Sequence, residues 1–183
     1  MLLANAGVEA ESVRPGVDEE LAKAAFRKEG MPVRDQAMAL AELKAVKVSA
    51  SRPGLVIGGD QMLALGEEAF DKPVGMEGAR QHLERLSGKT HILETAIVIC
   101  ESGQPVWRYL ARPKLTMRVL SSDYIDSYLE SAGEPILATV GAYQLEGLGS
   151  QLFTRIEGDF FSILGLPLLP LLDYLRVRGV LQS

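Results

Sequence analysis

The chain predicts an α/β fold, a mixed twisted sheet with flanking helices, on three observations. Short β-branched runs alternate with stretches of helical period, a central pair of apolar runs flanks a tight turn, and cap residues bracket most of the helical stretches. At 183 residues it is long enough for one domain with a conventional core.

Leu2 to Gly7 reads as the last turn of a helix closed by glycine. Asp18, with Glu19 and Glu20 behind it, is an N-cap acid with first-turn carboxylates for a helix over Leu21 to Glu29 that stops at Gly30. A second helix spans Arg34 to Ser49, with Ala37, Leu40, Ala41 and Leu43 expected to face inward and Lys44 and Lys47 to share an edge. After Arg52-Pro53-Gly54, Leu55-Val56-Ile57 predicts a buried strand that ends at Gly58-Gly59-Asp60 and delivers an acid at its carboxyl end. Met76 to Leu86 is a helix with Leu83 and Leu86 on one side, halted by Ser87-Gly88. His91 to Cys100 and Val106 to Val119 form a hairpin turning at Glu101-Ser102-Gly103-Gln104. Ser121 or Ser122 caps a helix through Leu129 that ends near Gly133, and Ala138 to Tyr143 and Leu152 to Ile156 are expected strands. Pro167 opens a C-terminal helix to Arg178, which Gly179 stops. No internal repeat or linker is visible.

Hydrophobic residues at 47% and charged residues at 23% exclude a disordered tail, a collagen-like repeat and a disulfide scaffold. A net charge of -5 argues against a nucleic acid polymer as partner, so a polyanionic ligand must meet a local basic cluster. With Cys100 the single cysteine and His82 and His91 the only histidines, no zinc site assembles from Cys and His, and a reducing cytoplasm fits best. The most apolar stretch, Ile163 to Leu172, falls short of the roughly 20 residues a spanning helix needs and carries Pro167 and Pro170, so no membrane partner is expected. The start does not read as a signal peptide. Leu164 to Leu175 reads as core or as the contact of a homodimer.

Asp60 is the first candidate for chemistry: two preceding glycines open the backbone to a substrate, and the carboxylate could hold a metal, activate water, or merely cap a turn. Lys72, beside Pro73, is a cation on a stiffened segment, placed either to meet a phosphate or simply in solvent. Ser87, Thr90 and His91 surround Gly88-Lys89 in a grouping suited to an anion, without the glycine spacing of a P-loop. His91, at the start of a strand, reads at least as well as a hydrogen-bonded structural residue. The loop Gly141 to Gly149 carries Tyr143 and Glu146, suited to stacking a base and accepting from its edge, or to turning the chain between strands. Lys44 and Lys47 belong to a solvated helix edge or offset a triphosphate.

Taken in order, Val17-Asp18-Glu19, Leu43-Lys44-Ala45, Gly59-Asp60-Gln61, Asp71-Lys72-Pro73, Ser87-Gly88-Lys89-Thr90-His91, Gly133-Glu134-Pro135, Gly141-Ala142-Tyr143, Glu146-Gly147 and Gly165-Leu166-Pro167 resemble the Maf family of nucleoside triphosphate pyrophosphatases over nearly the whole chain. The resemblance implies a single domain over 1–183, of two lobes around a central cleft, that cuts a nucleoside triphosphate between its α and β phosphates with a divalent cation, Mg2+ or Mn2+. It makes Asp60 the proton acceptor, Glu19 and Asp60 the acids at the metal, and Lys44 and Lys72 the lysines facing the phosphates. Gln61 and Glu146 match the pattern of the subgroup that resembles 7-methyl-GTP pyrophosphatases, which points to a purine, possibly methylated, at the base subsite.

The resemblance also has departures. Family members begin with a strand and a Ser-x-Ser-x-x-Arg phosphate loop, whereas Leu2-Leu3-Ala4-Asn5-Ala6-Gly7-Val8 matches only the ending of the helix that follows. The chain as given is therefore expected to be truncated at its N-terminus and weak or inactive as an enzyme. A lysine common before Gly141-Ala142-Tyr143 is also missing. The alternative expectation is a catalytically impaired nucleotide-binding protein that acts through a partner in cell-division control.

Overall fold

The computed structural model describes residues 2–182, which form two compact units. The first comprises residues up to Gln61, Thr95–Ala111 and the segment from Asp159, and the second comprises Met62–Glu94 and Arg112–Gly158. Strand order in the six-stranded sheet is β2-β1-β3-β5-β6, with β4 paired to β3. The pairings of β1 with β2, β3 with β4, β3 with β5, and β5 with β6 are all antiparallel.

In the first unit, α1 (Leu2–Asn5) ends at Gly7, whose φ of 74° allows Val8 N–H to reach back to the Leu3 carbonyl. Helix α2 (Glu19–Lys28) starts where the Asp18 carboxylate accepts from Leu21 N–H. Helix α3 (Val33–Ser49) buries Val33, Ala37, Leu40, Ala41 and Ala45. Leu43, expected inward, is 42% exposed instead, because it lies off the stripe that those residues define at 3.6-residue spacing.

Strand β1 (Leu55–Leu65) corrects the expectation for Asp60: the strand does not end there but runs on, so the acid sits in mid-strand. Buried Met62, Leu63 and Ala64 carry the strand past the two glycines. Gly58 also serves a different purpose from the one expected. A Cβ there would press on the Ala41 carbonyl and lie 2.7 Å from Ala45 N, so its bareness admits α3 rather than a substrate.

Alternation along the strands then sorts the layers of this unit. Asp60 and Gly58 face α3, while Leu55 and Ile57, with Ile97 and Ile99 of β3 (Thr90–Glu101), pack against Leu171 and Leu175 of α7 (Leu168–Val177). Strand β4 (Gln104–Ala111) follows the same rule, with Arg108 paired to Glu42 of α3 and Trp107 stacked on Tyr174 of α7. The apolar C-terminal stretch is thus core at Leu168, Leu171 and Leu175. Before it lies a one-turn helix that the sequence did not announce, α6 (Phe160–Ile163), capped by Asp159.

In the second unit, β1 turns at Gly66 into β2 (Glu68–Phe70), also unannounced, and α4 (Gly75–Leu86) buries Ala79, Leu83 and Leu86. The long strand expected from Val106 to Val119 is divided into β4 and β5 (Lys114–Met117). Pro113, without an N–H, interrupts the ladder there, although its carbonyl accepts from Leu93. Helix α5 (Ser122–Ala132) is capped by Ser121 and ends at Gly133 as expected, and β6 (Phe153–Glu157) follows. Ala138 to Tyr143 is not a strand: residues Glu134–Ala138 form a 3-10 turn, and Gly141 and Ala142 take positive φ.

Candidate active site

Three of the expected residues meet in the first unit. Lys44, on α3, donates to Asp60 Oδ1 at 2.8 Å and pairs with Glu19 Oε1 at 3.0 Å. Helix period sets Lys44 one residue before buried Ala45, at the margin of the stripe, where its stem is covered and its ammonium reaches the strand. Strand period turns Asp60 toward the same helix, and Glu19 comes from the first turn of α2, where the helix dipole favours a carboxylate. Asp60 and Lys44 side chains are only 10% and 16% exposed, whereas Glu19 is 40% exposed.

Burial is the largest influence on Asp60 and pushes its pKa above the ordinary carboxylate value. The Lys44 hydrogen bond and charge oppose this, the negative Glu19 adds to it, and Lys23 opposes it weakly. Burial pulls the Lys44 ammonium down, but the hydrogen bonds and charges of Asp60 and Glu19 outweigh that and leave it raised. One ammonium thus serves two carboxylates, and Asp60 remains short of positive charge. That shortage suits a further hard cation: Mg2+ and Mn2+ take carboxylate oxygens, keep water, and share the phosphates of a substrate. No cluster of three acidic, histidine or cysteine ligands exists among the described residues, so the protein alone would supply one or two ligands.

A groove of about 750 Å³ opens beside Lys44, with Val8, Leu55, Ile57 and the Gly59 backbone in its wall and Arg52 at the same surface. Its size is that of a small-molecule site.

The remaining expected residues are placed differently. Gln61 lies on the strand face opposite Asp60, where its Nε2 donates to Thr95 Oγ1 at 2.7 Å and to the Ser162 and Ile163 carbonyls at 3.0 and 3.2 Å. Its amide nitrogen is therefore not available to a base. Lys72 is exposed in the second unit between β2 and α4, and Glu146 is exposed in the turn before Leu148.

Ser87, Thr90 and His91 do not converge on an anion. Ser87 Oγ accepts from Leu120 N–H, Thr90 pairs with Thr116 across the strands, and His91 is fully buried with Nε2 2.7 Å from the Tyr143 hydroxyl. Adjacent residues of a strand point to opposite faces, which separates Thr90 from His91. Burial drives the His91 pKa down to about 4, so the ring is neutral, and Tyr143, itself buried, cannot stack a base.

Thr95, Ser162 and the fully buried end of β3 were missed by sequence reasoning. Glu94 and Thr95 are the polar pair in the apolar run Ile92 to Cys100, which was the available signal. Glu94 is held by a bidentate pair with Arg112 at 2.8 Å, and Thr95 donates to the Ser162 carbonyl at 3.0 Å.

The family model described as Maf-like protein matches residues 1–178. A nucleoside triphosphate pyrophosphatase of Hyphomonas neptunium is 71% identical over 182 residues, covering 100% of this chain and 92% of that protein. One of Rhodospirillum rubrum is 54% identical, covering 100% of the chain and 91% of its own length. A 7-methyl-GTP pyrophosphatase of Mesorhizobium japonicum is 50% identical, covering 100% and 92%. With the ordered motifs, the Lys44-centred cluster and a family match across nearly its whole length, the chain belongs to the Maf-like protein family.

Proposed function

We propose that this protein hydrolyses nucleoside triphosphates between the α and β phosphates, giving the monophosphate and pyrophosphate. The observation that carries the reading is the Lys44 ammonium held between Asp60 and Glu19 at the mouth of a ligand-sized groove. It accords with the names of the relatives across their full match to this chain.

Water attacks the α phosphorus, the bond to the bridging oxygen breaks, and pyrophosphate leaves with the electron pair. Asp60 takes the proton of the attacking water, and the burial that raises its pKa makes it a stronger base than an exposed carboxylate. Lys44 orients that carboxylate and offsets the charge growing on the phosphoryl oxygens. Asp60 and Glu19 would hold Mg2+ or Mn2+, which supplies charge neutralisation and water activation when bound. Lys72 and Glu146 are further proposed substrate contacts, at phosphate and base respectively. A carboxylate at position 146 suits 7-methylguanine, whose N-methylation places positive charge on a ring with N–H donors.

Pyrophosphate release from 7-methyl-GTP, GTP, UTP, dTTP and ITP with either metal tests the reading. Turnover by the chain that Asp60→Asn abolishes is expected. Activity unchanged in Asp60→Asn would overturn the assignment, and preference for UTP or dTTP would overturn the purine.

A further inference from the structure

The side chain after the proposed base is tied to the reverse face of the strand. We propose that Gln61 is a positioning residue for Asp60, acting through Thr95 and α6, and does not read the nucleotide base; this rests on the pyrophosphatase reading above.

The hydrogen-bond inventory leaves little freedom. The Thr95 hydroxyl gives its one proton to the Ser162 carbonyl, so its oxygen is the acceptor for Gln61. The Gln61 amide nitrogen faces three acceptors, Thr95 Oγ1 and the carbonyls of Ser162 and Ile163. Turning the amide over would set its own oxygen against those three, so the orientation is determined. At the far end, Asp159 accepts from both the backbone N–H and the hydroxyl of Ser162. Thr95 and Ser162 are fully buried, and a polar chain of this kind is rigid only when every member is satisfied.

Alternation along β1 then gives the chain its consequence for chemistry. Asp60 points to α3 and Gln61 to α6, so the strand is held from both faces at adjacent residues, by Lys44 on one side and by Thr95 and α6 on the other. Release of the second anchor lets β1 rotate and carries Asp60 with it. A displacement on the order of 1 Å in a catalytic group is enough to lower turnover by about a hundredfold. A direct reader of the base has a different signature, since its loss changes the ranking of nucleotides rather than the rate on all of them.

The test compares Gln61→Met, Thr95→Val, the double variant and the conservative Thr95→Ser, measuring kcat and KM for 7-methyl-GTP and UTP well below the melting temperature. Positioning predicts a loss of about tenfold or more in kcat for both nucleotides, with KM and the selectivity ratio little changed. Thr95→Val should reproduce that loss, the double variant should add little to it, and Thr95→Ser should restore it. A selectivity ratio that changes in Gln61→Met while Thr95→Val behaves as wild type would overturn the proposal in favour of base reading. Unchanged kcat in folded Gln61→Met would also overturn it, leaving the network a packing feature. If Gln61→Met does not fold, Thr95→Val against Thr95→Ser decides alone. Failure of the pyrophosphatase reading shows separately, as absent turnover by the wild-type chain.

Discussion

His91 makes the stability of this protein depend on pH in a way that can be worked from its surroundings. The ring is fully buried between Tyr143 and Phe153, its Nε2 meets the Tyr143 hydroxyl, and its Nδ1 has no partner. Protonation would bury a charge and place a second N–H where nothing accepts it, so the folded pKa falls from 6.5 to about 4. The unfolded chain therefore binds the extra proton between these values and the folded chain does not. The stabilising contribution is complete above pH 6.5 and is lost as the pH falls toward 4. At about 1.4 kcal/mol for each pH unit, the loss approaches about 3 kcal/mol. For a chain of this size it amounts to roughly 6–12 °C in melting temperature.

Urea unfolding at pH 7, 6, 5 and 4.5 should be compared with His91→Gln, using the difference in slope rather than absolute stability. The comparison is needed because Asp60, with its raised pKa, has the opposite effect: its folded form holds a proton that the unfolded chain has lost, so stability falls as the pH rises through that window. A wild-type curve parallel to that of the variant would refute the argument, as would an NMR titration of His91 with a midpoint near 6.5.

Lys44→Met should lower kcat/KM by about a hundredfold and move the acid limb of the pH profile upward, because Asp60 loses the main partner that opposes its burial; an unmoved limb would remove Asp60 from the role of base. Gly58→Ala should destabilise the protein by about 1–3 kcal/mol or more, since the added methyl meets the α3 backbone rather than a movable side chain; denaturant midpoints measure it, and a neutral result would contradict the close approach of helix and strand. Leu171→Ala, in the fully buried contact with Ile97 and Ile99, should cost about 2–5 kcal/mol in the same assay. Chelation with EDTA should silence turnover and readdition of Mg2+ or Mn2+ should restore it; activity that survives chelation would show that Lys44 and the carboxylates suffice without a cation.

Wherever periodicity and caps carried the signal, the elements were legible. Asp18, Ser121 and the glycines at 7, 30, 133 and 179 bound their helices as read, because a cap acts on its own few residues. Local signals misled where a distant partner decided. Gly58-Gly59 resembles a strand end, but α3 requires a bare backbone at Gly58, and burial of Met62 to Ala64 continues the strand. Tyr143 and His91 look like site residues in a glycine-rich setting, yet they satisfy each other in the core.

By itself the sequence determined the class, most helix limits, and the identity of Asp60, Lys44 and Glu19 as residues of interest, because ordered motifs and residue chemistry are properties of the chain. Only the tertiary structure decided that these three share one ammonium, that Gln61 belongs to the reverse face, and that His91 is neutral core. Those outcomes depend on burial and on which groups meet across many residues of chain, as the 16 residues between Lys44 and Asp60 illustrate. Charge and hydrogen bonding act over a few ångströms of space, and no local pattern encodes which side chains the folded chain will bring within that distance.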